Sequence, residues 1–315
     1  MGFNYRKSIS LGKGIRVNFS KAGPSISFGK TGMRFSVNSK GQAKGTVGIP
    51  GSGMYYNKQV NLFTAIKRFF GSDENQKKAE LEEKLQDPQL GQADKNQVQE
   101  DLFDNYLERI RNVHKEVDEA IDWNDVLKNQ DGQTQESINL KMLAQQVLEG
   151  DDEAYLTVVQ EMEPFEDLME FGSDFEVGII QDDVLGVTFN VHSEKVVPTE
   201  VVKILKSGKE SVKPMSKTMR NALVRDYVTS TSFRVARDLF ALLPVQEIVV
   251  NAEEALLNPS TGHQEDMTLL SVIFPRPAFE QLNFEGVVPY EALKNFQHAI
   301  DFKTTKGLSP VLPLK

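Results

Sequence analysis

The 315 residues contain no cysteine. Disulfides, thiolate metal sites and cysteine nucleophiles are therefore excluded. Tryptophan occurs once, at Trp123. No run approaches the roughly 18 consecutive apolar residues that a membrane span needs. Residues 1–14 hold no apolar core of a secretory leader, so none is expected, and a cytoplasmic location is the expectation. Gly2 suits N-myristoylation, but Arg6 stands where that motif wants Ser or Thr. Acidic residues are missing only locally. Residues 1–72 carry twelve Lys and Arg and no Asp or Glu. Removing those twelve charges turns the chain's net −9 into −21 for residues 73–315. Such a split suggests modules with different partners, or modules that attract each other.

What is present begins with glycine. Residues 1–57 hold eleven of the 22 glycines. Between them lie short alternating runs: 8–11, 15–19, 25–28, 34–37 and 47–49. Alternation bounded by Gly turns is the signal of a β-meander. One face would carry Ile9, Leu11, Ile15, Val17, Phe19, Ile26, Phe28, Phe35 and Val37. The other would carry Ser8, Ser10, Arg16, Asn18, Ser25, Ser27, Arg34 and Ser36. A sheet this small must cover its apolar face, by curling, by accepting a helix, or by pairing with another copy.

Three stretches of this segment are specific: Gly-Phe-Asn-Tyr-Arg-Lys-Ser-Ile from Gly2, Ser-Lys-Ala-Gly-Pro-Ser-Ile-Ser-Phe-Gly from Ser20, and Val-Gly-Ile-Pro-Gly-Ser-Gly-Met-Tyr-Tyr from Val47. Over residues 1–56 the chain resembles a bacterial module known as domain of unknown function four-two-three-six. The resemblance implies a bacterial or phage origin and no assigned activity. The segments around Tyr106–His114, Ile121–Trp123 and Arg234–Pro244 are similar to the uncharacterised region that follows this module in longer relatives.

Residues 60–71 read as a short amphipathic helix with Lys67 and Arg68 on its polar side. It is expected to cover the preceding sheet; the competing reading is a helix lying on a membrane surface. Residues 73–100 are rich in Gln, Glu and Lys and read as a linker containing a solvated helix broken at Asp87-Pro88. Helical periodicity returns over 98–128, 134–149 and 151–170, with Trp123 as a packing anchor. From Phe175 a hairpin is expected, 175–180 with 184–191. The dominant stretch follows. Met219, Leu223, Tyr227, Val235, Leu239 and Phe240 recur at helical spacing from Lys217, and Pro244 ends the helix. Strands 245–251 and 267–274 come next, then helices over 277–283 and 289–300.

No chemical motif stands out. Gly29-Lys30-Thr31 lacks the upstream glycine of a phosphate loop, because Pro24 occupies that position, and a strand is expected after it. His114, His192, His263 and His298 have no metal-ligand spacing, so no metal and no cofactor are expected. Asp182 and Asp183 have no Glu-x-Lys following on a strand, which disfavours a nuclease. Ser232, Arg234 and Arg237 could hold an anion, but arginine at this spacing is usually a solvated or ion-paired face.

The expected fold class is α+β multidomain: a small Gly/Ser-rich antiparallel β-module, a helical connector, and a C-terminal α+β domain with an antiparallel or mixed sheet packed on helices. The expected segments are 1–57 (basic β-meander module), 58–97 (amphipathic helix and polar linker), 98–170 (helical region) and 171–315 (α+β domain). The expected role is binding or scaffolding. Lys7, Lys13, Arg16, Lys21, Lys30, Arg34, Lys40 and Lys44 are the candidate anion-binding residues. The favoured partner is an acidic protein surface or a second copy of the chain. A nucleic-acid backbone is an alternative, and a membrane or envelope surface a weaker one. The rival class is a nucleic-acid-processing enzyme with its site in 171–315.

Overall fold

In the computed structural model the described residues are 7–12, 15–20, 23–28, 33–38, 43–48 and 55–58, these as backbone, then 80–85, 91–116, 120–129, 135–165, 168, 173–207 and 209–314. The chain divides into two compact units, Met1–Phe69 and Phe70–Lys315.

The first unit is an antiparallel meander of β1 (Lys7–Gly12), β2 (Ile15–Ser20), β3 (Gly23–Phe28), β4 (Met33–Asn38), β5 (Ala43–Gly48) and β6 (Tyr55–Lys58), in that spatial order. The fifth strand is longer than the alternation suggested, and the sixth was not expected. The expected helix over 60–71 lies outside the described residues.

In the second unit, residues 80–85 are helical and Leu81 is buried, so this stretch is not wholly solvated. Helix α1 (Gln92–Asn112) starts inside the stretch read as linker. Helices α2 (Trp123–Asn129), α3 (Gln135–Leu148) and α4 (Asp152–Met162) follow. The α4 N-terminus is capped by Asp151, whose carboxylate accepts from the Ala154 N–H at 2.8 Å. Phe165 then stacks on Phe175, which stacks on Phe189, tying this helical stretch to the sheet beyond it.

That sheet has six strands in the order β14-β13-β12-β11-β8-β7. They are β7 (Asp174–Gln181), β8 (Val184–Asn190), β11 (Glu247–Leu257), β12 (Gln264–Pro275), β13 (Gln297–Lys303) and β14 (Gly307–Ser309). A separate ribbon pairs β9 (Glu200–Ile204) with β10 (Glu210–Pro214). β8 and β11 are parallel and the other pairs antiparallel, so the sheet is mixed. A parallel pair needs a long crossover. Here it contains the ribbon and helix α5 (Lys217–Leu242), which packs on one face of the sheet.

Leu223, Tyr227, Phe233 and Leu239 of α5 are fully buried, as are Leu185, Val250, Val272 and Phe274 beneath. Phe233, Phe274, Phe279 and Phe296 form an aromatic cluster with centroids 4.9–6.0 Å apart, four of its six ring pairs edge-to-face.

Both ends of α5 are defined by hydrogen bonds. Ser216 accepts from the Met219 N–H at 3.3 Å. The C-terminal carbonyls have no partner within the helix and take theirs from elsewhere. Ala241 accepts from the Ile121 N–H at 2.8 Å, and Leu242 from the Trp123 indole at 2.7 Å. The Arg276 guanidinium donates to the carbonyls of Phe240 (3.2 Å), Leu243 and Val245 (2.7 Å), and lies over the Phe240 ring. The lone tryptophan is thus both packed and hydrogen-bonded.

Three expectations are corrected. The helix expected over 289–300 is a single turn, Pro289–Ala292, with a 3-10 turn after it and then strand β13. The helix expected over 277–283 is the single turn Arg276–Phe279. The strand after Pro244 runs on to Leu257, in an eleven-residue pairing with β12. The half-buried glutamates Glu253 and Glu254 in its outer half had hidden that extension.

Candidate functional site

The strand register of the β-module sorts its residues into rows. Ser10, Arg16, Ser27, Ser36 and Lys44 lie opposite one another across five strands. The next row is Ile9, Val17, Ile26, Val37 and Ala43. Rows two residues apart share a face. Arg34, opposite Thr46, therefore belongs with the Arg16 and Lys44 row. Lys7 does not: it pairs with Phe19 and belongs with the apolar set. Of the eight candidate cations, the register brings Arg16, Arg34 and Lys44 together and separates Lys7 from them. Lys13, Lys21, Lys30 and Lys40 lie outside the described residues.

In the second unit, part of the sheet face away from α5 is polar. Asp174, Asn190, Glu253 and Thr268 form one cross-strand row, and Glu176, Thr188, Asn251 and Ser271 the next. Ser271 donates to Asn251 Oδ1 at 2.6 Å and accepts from the Leu314 N–H at 3.0 Å, so the C-terminal tail crosses this face. Near the end of β8, His192 adopts a left-handed backbone, φ 48°, and its Nε2 lies 2.9 Å from Asp174 Oδ2. Both carboxylate oxygens of Glu254 accept from the Ser193 N–H. The polar ends of the parallel pair are thus tied to backbone and to each other. The Asp182-Asp183 tip is a turn: the Asp183 carbonyl accepts from the Gln246 and Glu247 N–H groups.

Of the arginines flagged on α5, Arg234 is internal and Arg237 half-buried. Arg234 is 4% exposed; its Nε donates to Asp238 Oδ2 at 2.6 Å, and its Nη1 lies 3.5 Å from Glu116 Oε2. Arg237 donates to the carbonyls of His114 (2.6 Å) and Lys115 (3.0 Å), and stacks on Phe284. Ser232 donates back to the Val228 carbonyl at 2.8 Å. Ser230 Oγ meets both the backbone N–H and the Nδ1 of His114. Burial, then the charge of Lys115, pushes the His114 imidazole down to about 4, against the pull of the Val287 and Arg111 backbone. This is a buried, paired network and not an anion site.

Among the described residues, no group of three or more His, Asp or Glu is placed to hold a metal ion. No described helix is long and apolar enough to cross a membrane. Sequence reading missed the His192–Asp174 pair, the role of Arg276 and the β9–β10 ribbon. The first two depend on partners distant in sequence. The ribbon carried a local signal, the alternation of 200–204 and 210–214.

Residues 3–57 match the family described as Protein of unknown function (DUF4236). No curated protein and no solved structure matches the chain.

Proposed function

We propose that this chain, with its DUF4236 module at the N-terminus, is a cytoplasmic binding or scaffolding protein whose β-module engages an anionic partner. The partner favoured is an acidic protein face, including the strongly acidic residues 73–315 of a second copy. The observation that carries this reading is the register, which sets Arg16, Arg34 and Lys44 among Ser and Thr rows and apart from the Ile, Val and Phe rows. No acidic residue in the segment offsets them. Uncompensated like charges of this density gain from a counter-charged surface. Binding is favoured over chemistry because the buried Asp238 and the half-buried Glu116 of the second unit serve ion pairs with Arg234.

The test uses the full chain and its Arg16→Glu/Arg34→Glu variant. Self-association and capture on poly-glutamate are followed across a salt series. Binding that weakens steeply with salt and is lost in the variant, at unchanged melting temperature, is expected. Equal behaviour of the two chains would mean that the charge serves solubility alone.

A further inference from the structure

The β9–β10 ribbon sorts its charges by face. The pairing sets Lys203 opposite Ser211 and Lys213 opposite Val201, and the Leu205 N–H bonds to the Lys209 carbonyl. Positions 203, 209 and 213 therefore share one face, with Leu205, Ser211 and Val201. Glu200 and Glu210 fall on the other, with Val202, Ile204 and Val212. All three lysines are exposed, and among the described residues none lies within ion-pair distance of a carboxylate. Helix α1 brings two acids to the ribbon. Glu100 is occupied with the Ile204 N–H at 3.0 Å. Asp104 feels the charge of Lys203, yet burial and Glu100 hold its carboxyl above the ordinary value. The lysine face itself carries no acidic residue, on a unit that is otherwise strongly acidic.

We infer that this face is a second polyanion site, separate from the β-module, and that its ligand is the phosphate backbone of duplex nucleic acid. The residues absent from the ribbon narrow the choice. Residues 200–214 contain no aromatic side chain. Binding of single strands relies on aromatic stacking, so it is disfavoured. Arginine is absent too, and with it the bidentate reading of bases and the anchors typical of protein interfaces. The lysine face offers a membrane only one large exposed apolar residue, Leu205, because Val212 is on the opposite face. What remains is a row of point charges on a two-stranded ribbon, narrow enough for a major groove about 12 Å wide. Such a site grips phosphates without reading sequence.

The test starts from the full chain carrying Arg16→Glu/Arg34→Glu, which silences the β-module. To it is added Lys203→Gln/Lys209→Gln/Lys213→Gln. Anisotropy of a labelled duplex of about 30 base pairs is read between 50 and 200 mM salt, beside capture on poly-glutamate. Three phosphate contacts give a salt slope of about −2.7, a roughly forty-fold loss of affinity over that range. The starting chain should show it and the triple-glutamine chain should not, while Glu200→Gln/Glu210→Gln on the opposite face leaves it intact. If the triple-glutamine chain does not fold, Lys209→Gln and Lys213→Gln are read singly, each removing about 0.9 from the slope. Equal slopes with and without the lysines, or no duplex binding by the starting chain at 50 mM salt, overturn the inference. So does loss of poly-glutamate capture in place of duplex binding, which would assign the ribbon to an acidic protein. The β-module reading is judged on Arg16 and Arg34 alone, so either proposal can fail without the other.

Discussion

His114 shows how one residue ties sequence to stability. It is 1% exposed, shares the Ser230 hydroxyl, and faces Lys115 and the Arg237 guanidinium. Burial favours the neutral ring, so its folded pKa of about 4 lies below the unfolded value of 6.5. A depressed histidine supports the fold fully above the unfolded pKa. That support is lost as pH falls from 6.5 towards 4, because the unfolded chain binds the proton first. The shift corresponds to about 3 kcal/mol. Urea unfolding between pH 7 and 4 should show this loss, and His114→Gln should flatten the slope in that window. An unchanged slope would mean that the ring is not held neutral. None of this was legible in sequence, where His114 reads as an ordinary polar residue. Its surroundings are assembled from α5 and from the backbone near Val287, both far along the chain.

At the scale of elements, α5 was the most legible part of the molecule. Its apolar recurrence, its Ser216 cap and the Pro244 stop all act locally, and local signals are what a sequence exposes. Phe240 lies on the predicted stripe and is 8% exposed, in contact with Phe279 and Arg276. Truncating it should cost about 3–5 kcal/mol, through lost burial and the cavity left behind. Thermal or urea unfolding of Phe240→Ala is the measurement, and a cost under about 1 kcal/mol would show that the site collapses around the gap. Strand β13 marks the opposite limit. Tyr290, Leu293, Phe296 and Ile300 repeat at helical spacing, yet pairing of Leu270 with Ile300 and Ile273 with Gln297 prevails. A neighbouring strand that offers a whole ladder outweighs a short periodic signal. The ribbon went unread for a related reason: four of its ten strand positions are charged, which blurs an apolar alternation.

At the scale of the whole molecule, the charge split was visible before any fold was known. Both proposals grow from it, one on the basic segment and one on a basic island within the acidic remainder. The antiparallel meander and a sheet packed on helices were also legible as classes, though whether that sheet was antiparallel or mixed was not. Which polar residues meet was not, because register alone decides it. A one-residue slip between β2 and β3 would send Arg16 from the Ser27 row to an apolar one. Gly307 shows the same dependence on distant neighbours. Its φ is +88°, and a Cβ there would come within 3.1 Å of the Asn221 side chain. Only the assembled fold explains that choice of residue.

The C-terminal end of α5 also bears on the order in which the chain folds. Its donors come from Ile121 and Trp123, more than a hundred residues upstream, and from Arg276 downstream. Contacts closing such long loops carry a large entropic cost and tend to form late. The first turns of α5 need only Ser216, a local partner. Trp123→Phe, which keeps a six-membered aromatic ring and removes the pyrrole ring with its N–H donor, should therefore speed unfolding and leave the refolding rate nearly unchanged. Stopped-flow chevrons would read this as a shift of the unfolding arm alone. Slowed refolding would instead place the closure of this helix end in the folding nucleus.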